Sequence, residues 1–160
     1  MLATAFFSGI QPTMANSDSD ASKPDLLERA MQGFQMYEQG RYDDARVIFE
    51  DLAEKDPAEG YYHTALGAIS LAMDGFDKAL EYFNQALHLN AEDTAALINR
   101  GEVHLRLGNT LEAAHDFARV VDLDPENKDP LTDRARVLAQ AARQSAEESL
   151  RDAGGEALKG

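Results

Sequence analysis

YDDARVIFEDLAEKDP, residues 42–57, carries an alanine at 45 and a phenylalanine at 49 and ends in Asp56-Pro57; a similar ending, LDP, returns at 123–125. Working outward from this stretch, the same residue types recur at one interval. Glycines stand at 33, 67 and 101, alanines at 45, 79 and 113, and phenylalanines at 49, 83 and 117, each set 34 apart. Pro57 and Pro125 lie two intervals apart, with Ala91 between them. Self-similarity at a fixed period marks a repeat architecture, in which each unit buries its apolar face against its neighbours.

Thirty-four residues is the length of the tetratricopeptide repeat, and the columns match that family from about residue 26 to 127. The resemblance implies an all-α fold. Three helix-turn-helix repeats, 26–59, 60–93 and 94–127, stack in a right-handed superhelix, and a C-terminal capping helix covers the last face. Gly33, Gly67 and Gly101 then lie where the first helix of a repeat crosses close to the second, with Ala45, Ala79 and Ala113 as their counterparts. Phe49, Phe83 and Phe117 fill the space between repeats. Pro57 and Pro125 end second helices, because proline lacks an N–H and disfavours a helical residue before it.

The first helices are predicted at 25–39, 59–73 and 93–107, and the second helices at 42–54, 76–89 and 110–122. Gly40, Gly75 and Gly108 are expected to close the first helices in a left-handed conformation. The cap is predicted over 128–150, starting near Pro130, where a missing donor costs little. Its apolar face is read as Leu131, Val137, Leu138 and Ala141. Residues 151–160 are expected to fray. Residues 1–25 read as a disordered or weakly helical leader, Ser/Asp/Asn/Pro-rich from 14 onward. Met1 and Met14 both remain open as the start.

The net charge is -14, from 29 acidic and 15 basic residues, with most of the excess between 26 and 142. Such a chain repels nucleic acid and anionic membrane. It has no cysteine, which excludes disulfides, thiolate zinc sites and a cysteine nucleophile. The apolar patch Leu2–Phe7 has no basic segment before it and is too short to span a bilayer. A cytoplasmic protein without direct membrane insertion is expected. His63, His88, His104 and His115 form no i, i+4 pair, and DLDPENKD lacks the central glycine and closing glutamate of a calcium loop. No phosphate loop or nucleophile elbow is present. The expectation is a protein that is not an enzyme and uses no metal or cofactor.

In this family the first helices line a concave groove. Carried over by repeat position, its candidate lining is Leu27, Ala30, Phe34 and Tyr37 from the first repeat. The second repeat adds Tyr61, Thr64, Ala68 and Leu71, and the third adds Ile98, Glu102, Leu105 and Arg106. Phe34, Tyr37, Tyr61 and Leu71 are expected to be exposed there. Members that grip acidic chaperone tails do so with a clamp of Lys, Asn and Arg. Those positions here are Ala30, Phe34, Ala65, Ala95 and Asn99. A groove of this composition suits a protein or peptide partner with a few apolar anchors.

The phrases GFQMYEQGRYDDARVIFEDLAEKDP and YYHTALGAISLAMDGFDKALEYFNQALHLN resemble the class II chaperones of bacterial type III secretion. Leu66-Gly67-Ala68, Gly75-Phe76 and Ala79-Leu80 fill the phrase typical of their second repeat. That resemblance implies a chaperone holding an extended segment of a hydrophobic translocator, with anchors near Tyr37, Tyr61 and Leu71. It also implies a homodimer, formed through an N-terminal region such as Leu2–Ile10. The alternative is a scaffold that joins a larger assembly through its convex face or C-terminal helix.

Overall fold

The computed structural model describes residues 23–157, with side chains placed for 24–151. Seven helices fill that range: α1 Lys23–Glu38, α2 Tyr42–Lys55, α3 Gly60–Ala72, α4 Phe76–Leu89, α5 Thr94–Arg106, α6 Thr110–Leu123 and α7 Pro130–Ala157. The six repeat helices start and stop within two residues of their predicted bounds. The leader, its start codon and the Leu2–Ile10 region lie almost wholly outside the described residues, as do 158–160. Two compact units divide the chain, one ending at Asn99 and the other starting at Arg100.

The turns inside the repeats share one hydrogen-bond pattern. The N–H groups of Arg41, Gly75 and Asn109 donate to the carbonyls of Met36, Ser70 and His104 at 2.8–2.9 Å. The N–H groups of Gly40, Asp74 and Gly108 donate to those of Tyr37, Leu71 and Leu105. This paired pattern satisfies the last carbonyls of a helix and requires a left-handed residue just past its end. Gly40 (φ 73°) and Gly108 (φ 79°) supply it in two repeats, and in the second the residue is Asp74 (φ 57°). Gly75, expected to be left-handed, has φ -84° and begins α4 instead. The 34-residue register puts the special position at 74, and glycine has slipped one place. Asp tolerates this conformation better than most residues, at a cost glycine does not bear. Asp74→Gly is therefore expected to stabilise the protein by about 0.5–1 kcal/mol, read as a higher urea midpoint at unchanged slope.

The turns between repeats follow another 34-spaced column. α2, α4 and α6 are capped by Asp56, Asn90 and Asp124, with similar φ of -137°, -142° and -130°. Prolines follow at 57 and 125, yet α4 ends at the same place before Ala91. Proline is thus not required to end a second helix.

In the first unit the repeat glycines carry the aromatic rings of their own second helices. A methyl group built on Gly33 would lie 2.8 Å from Phe49 Cε2, and one on Gly67 would lie 2.5 Å from Phe83 Cε1. Phe49 also meets the next repeat, its ring centre 6.0 Å from that of Tyr61 and 6.5 Å from that of Tyr62. The expected filling between repeats holds here, and the glycine is what lets the ring approach its own first helix. α3 carries no Asp, Glu, Lys or Arg, and nine of its residues are buried. A helix apolar on all sides is a core helix.

In the second unit Gly101 accepts Phe117 in the same way, at 2.7 Å from a built methyl. The Asp124 carboxylate organises the turn into α7. It accepts from the N–H groups of Lys128 (3.0 Å) and Asp129 (2.9 Å) and from Thr132 Oγ1 (2.8 Å). These bonds hold its pKa below the usual carboxylate range.

α7 departs from the sequence reading in length and in face. It continues to Ala157 through Gly154 and Gly155, so most of the expected fray is helical. One period beyond Gly108 stands Ala142, which is buried and has no reason to turn left-handed. The helix therefore runs on where the other three repeats fold back. Its buried stripe is Ala135, Ala139, Ala142 and Ala146, not the predicted Leu131, Val137, Leu138 and Ala141. Val137 is 68 % exposed, Ala141 is exposed, and Leu131 and Leu138 are half-buried at the margin. The i, i+4, i+7, i+11 spacing of the alanines follows the helical period closely, and small side chains allow a close approach to α6.

Candidate functional site

The first-helix face of the first unit is built by α1 and α3. The period places Leu27, Ala30, Phe34 and Tyr37 on α1 and Tyr61, Thr64, Ala68 and Leu71 on α3. They divide into two groups. Leu27, Phe34 and Tyr61 are half-buried, with part of each side chain open to solvent. Ala30, Thr64 and Ala68 are buried, as are Tyr37 at 3 % and Leu71 at 4 % exposure. The expected exposure of Tyr37 and Leu71 is thus corrected. Tyr37 packs at 5.5 Å against Tyr42 of its own repeat, the rings tilted, and Leu71 belongs to the buried run Thr64–Leu71 of α3. Sequence position alone does not distinguish a large apolar residue turned outward from one filling its own repeat.

Tyr61 sits in an aromatic cluster with Phe49 and Tyr62, the two tyrosine ring centres 5.9 Å apart. Burial and then the neighbouring Glu59 and Asp56 push the Tyr62 phenol up to about 12. Tyr61 is raised too, first by burial and then by Tyr62 and Glu59. Both phenols therefore stay neutral at any physiological pH. Glu59 also caps α3, accepting from the Tyr61 N–H at 3.1 Å. Thr64 donates to Asp93 Oδ2 at 2.7 Å, and the other oxygen of Asp93 caps the next first helix at the N–H of Ala96. Thr64 is thereby a latch on that cap.

Of the five clamp positions, Ala30, Ala65 and Ala95 are buried and Phe34 is half-buried. Asn99, the polar one, is buried, and its amide nitrogen has no hydrogen-bond acceptor among the described residues. Ile98 beside it is buried as well.

In the second unit, Glu102 is mostly buried and ion-paired with Arg134 of α7. Burial raises its pKa more than Arg134 and Arg106 lower it. Leu105 is half-buried and Arg106 exposed. The sequence reading missed Arg134 as the counter-ion of Glu102. It also missed the bidentate pair in which Arg100 donates to Asp116 at 2.8 and 2.6 Å. Arg100 and Arg134 stand one period apart, but that recurrence names neither acidic partner. Among the described residues no group of three histidines or carboxylates could hold a metal ion, and no helix is long and apolar enough to cross a membrane.

Two family models, each described as tetratricopeptide repeat, match residues 31–58 and 66–144. Human peptidyl-prolyl cis-trans isomerase FKBP4 is 35 % identical over 86 residues, which cover 54 % of this chain and 19 % of that protein. The chain spans less than a quarter of the length of the curated relatives it matches. Among solved structures, the Yersinia enterocolitica type III secretion chaperone SycD, in complex with a peptide of the translocator YopD, shares the fold. Its TM-score is 0.71 at 21 % identity, over 80 % of this chain and 99 % of that one. The first tetratricopeptide domain of RPAP3, bound to the HSP90 peptide SRMEEVD, superposes with a TM-score of 0.66 at 27 % identity, over 78 % and 98 % of the two chains. With repeat models matched on both sides of α3 and the glycine–phenylalanine columns in contact, the chain belongs to the tetratricopeptide repeat family.

Proposed function

We propose that this protein is a cytoplasmic chaperone or adaptor that holds an extended apolar segment of a secreted or membrane-inserting partner, as the class II chaperones of type III secretion do. The observation that carries the reading is the character of the α1 and α3 face. Leu27, Phe34 and Tyr61 offer partly open apolar surface on it, and α3 bears no Asp, Glu, Lys or Arg. An extended segment with two or three apolar anchors matches such a surface. The net charge of -14 keeps a complex with a hydrophobic client in solution.

An HSP90-type tail is the poorer fit. SRMEEVD is acidic, and the positions that would clamp it are Ala30, Phe34, Ala65, Ala95 and Asn99, none of them basic. The test is fluorescence anisotropy with two labelled peptides, the YopD segment and SRMEEVD. The YopD segment is expected to bind and SRMEEVD not. Leu27→Gln with Phe34→Gln is expected to weaken capture by about tenfold or more while circular dichroism shows the folded helices. Substituting Leu71 is the wrong experiment, because a polar group there disrupts the core. Undiminished capture by the folded double variant would remove the α1 face from the site, and preference for SRMEEVD would replace this reading with the HSP90-type one.

A further inference from the structure

We propose that the groove between α6 and α7 is a homodimer surface, occupied by α7 of a second copy running antiparallel to the first. One period beyond α6 lies the stretch 144–157, the place of a fourth repeat's second helix. Instead of folding back onto α6, that stretch extends α7. The surface it would have covered stays open as a groove of about 740 Å³, with Ala118, Val121 and Ala139 on its floor. Small floor residues admit a helix at close range.

The walls name the occupant. Arg136, Arg143, Glu147 and Glu148 line the groove, and among the described residues none of them makes an ion pair or side-chain hydrogen bond. Elsewhere the protein pairs its helix charges readily, as in Arg41–Asp44, Arg46–Asp43 and Lys55–Asp51. Arg143 and Glu147 lie on the same side of α7. An antiparallel copy related by a two-fold axis at Ser145 brings Arg143 opposite the second copy's Glu147, and Glu147 opposite the second copy's Arg143. Opposite signs one turn apart are self-complementary under that operation. A partner helix of single charge would meet repulsion from one of the two.

The experiment is sedimentation equilibrium of the full chain at low and high salt. The wild type is expected to dimerise, more weakly as salt rises. Arg143→Glu and Glu147→Arg, each alone, are expected to weaken the dimer by about tenfold or more. The double swap, Arg143→Glu with Glu147→Arg, is expected to restore it, which a merely structural role for either residue would not do. Three outcomes overturn the proposal: a wild type that stays monomeric at every concentration, single reversals that leave the dimer intact, or a swap that fails to rescue with helical content unchanged. Loss of the dimer on deleting residues 1–22, with both reversals silent, would assign the contact to the leader.

Discussion

Phe83→Ala is expected to lower the free energy of unfolding by about 3–5 kcal/mol, the range for removing a fully buried phenylalanine. Phe83 has no exposed surface, and its ring covers the bare backbone at Gly67, so the void left behind has rigid helix on one side. Gly67→Ala attacks the same contact from the other partner. Its new methyl would lie 2.5 Å from Cε1 and 2.6 Å from Cδ1 of the ring. Alanine gains about 1 kcal/mol of helix propensity over glycine, but a clash with a ring held on every side costs about 1–3 kcal/mol. The substitution is expected to destabilise. The decisive measurement is the double variant, unfolded in urea and followed by circular dichroism. The Gly67→Ala methyl occupies space that Phe83→Ala vacates, so the two losses should fall short of additive by about 1 kcal/mol or more. Strict additivity would mean that the ring does not rest on Gly67.

That contact also shows why so much of the fold is legible in the sequence. A glycine and a phenylalanine 16 residues apart, repeated every 34, are two halves of one packing event. The repetition converts weak local signals into a register, and the register places six helices to within two residues. It even contains the answer that a literal search for glycine missed, since Asp74 stands in the column of Gly40 and Gly108. The candidate site was less legible. The period assigns a residue to a face, but exposure depends on what else packs there. Tyr37 and Leu71 share a face with Phe34 and Tyr61, yet they are taken up by Tyr42 and by the continuous burial of Thr64–Leu71 in α3. The α7 stripe failed for a related reason. The sequence reading favoured bulky residues, whereas the observed contact with α6 depends on small ones.

Arg100→Leu and Asp116→Tyr, made separately, are each expected to destabilise by about 3–5 kcal/mol, and made together to cost little or nothing. Asp116 is 2 % exposed and Arg100 is mostly buried, so removing either leaves the other as a charge in a poorly solvated place. The pair itself is no guarantee of stability, because desolvating two ions offsets most of their attraction. The repeat supplies its own control. One period earlier the same two positions hold Leu66 and Tyr82, an apolar arrangement that serves the second repeat. Transplanting it gives the third repeat the apolar residues that the second carries at these register positions. Chemical denaturation of the two single variants and the double variant reads the coupling directly. If the double variant loses as much as the singles combined, the ion pair is supplying net stability that apolar packing at these positions does not replace. If it recovers, the third repeat holds its charges for a reason other than folding. His104 and His115, which border the same shallow pocket as Arg100 and Asp116, would then be the side chains to substitute next.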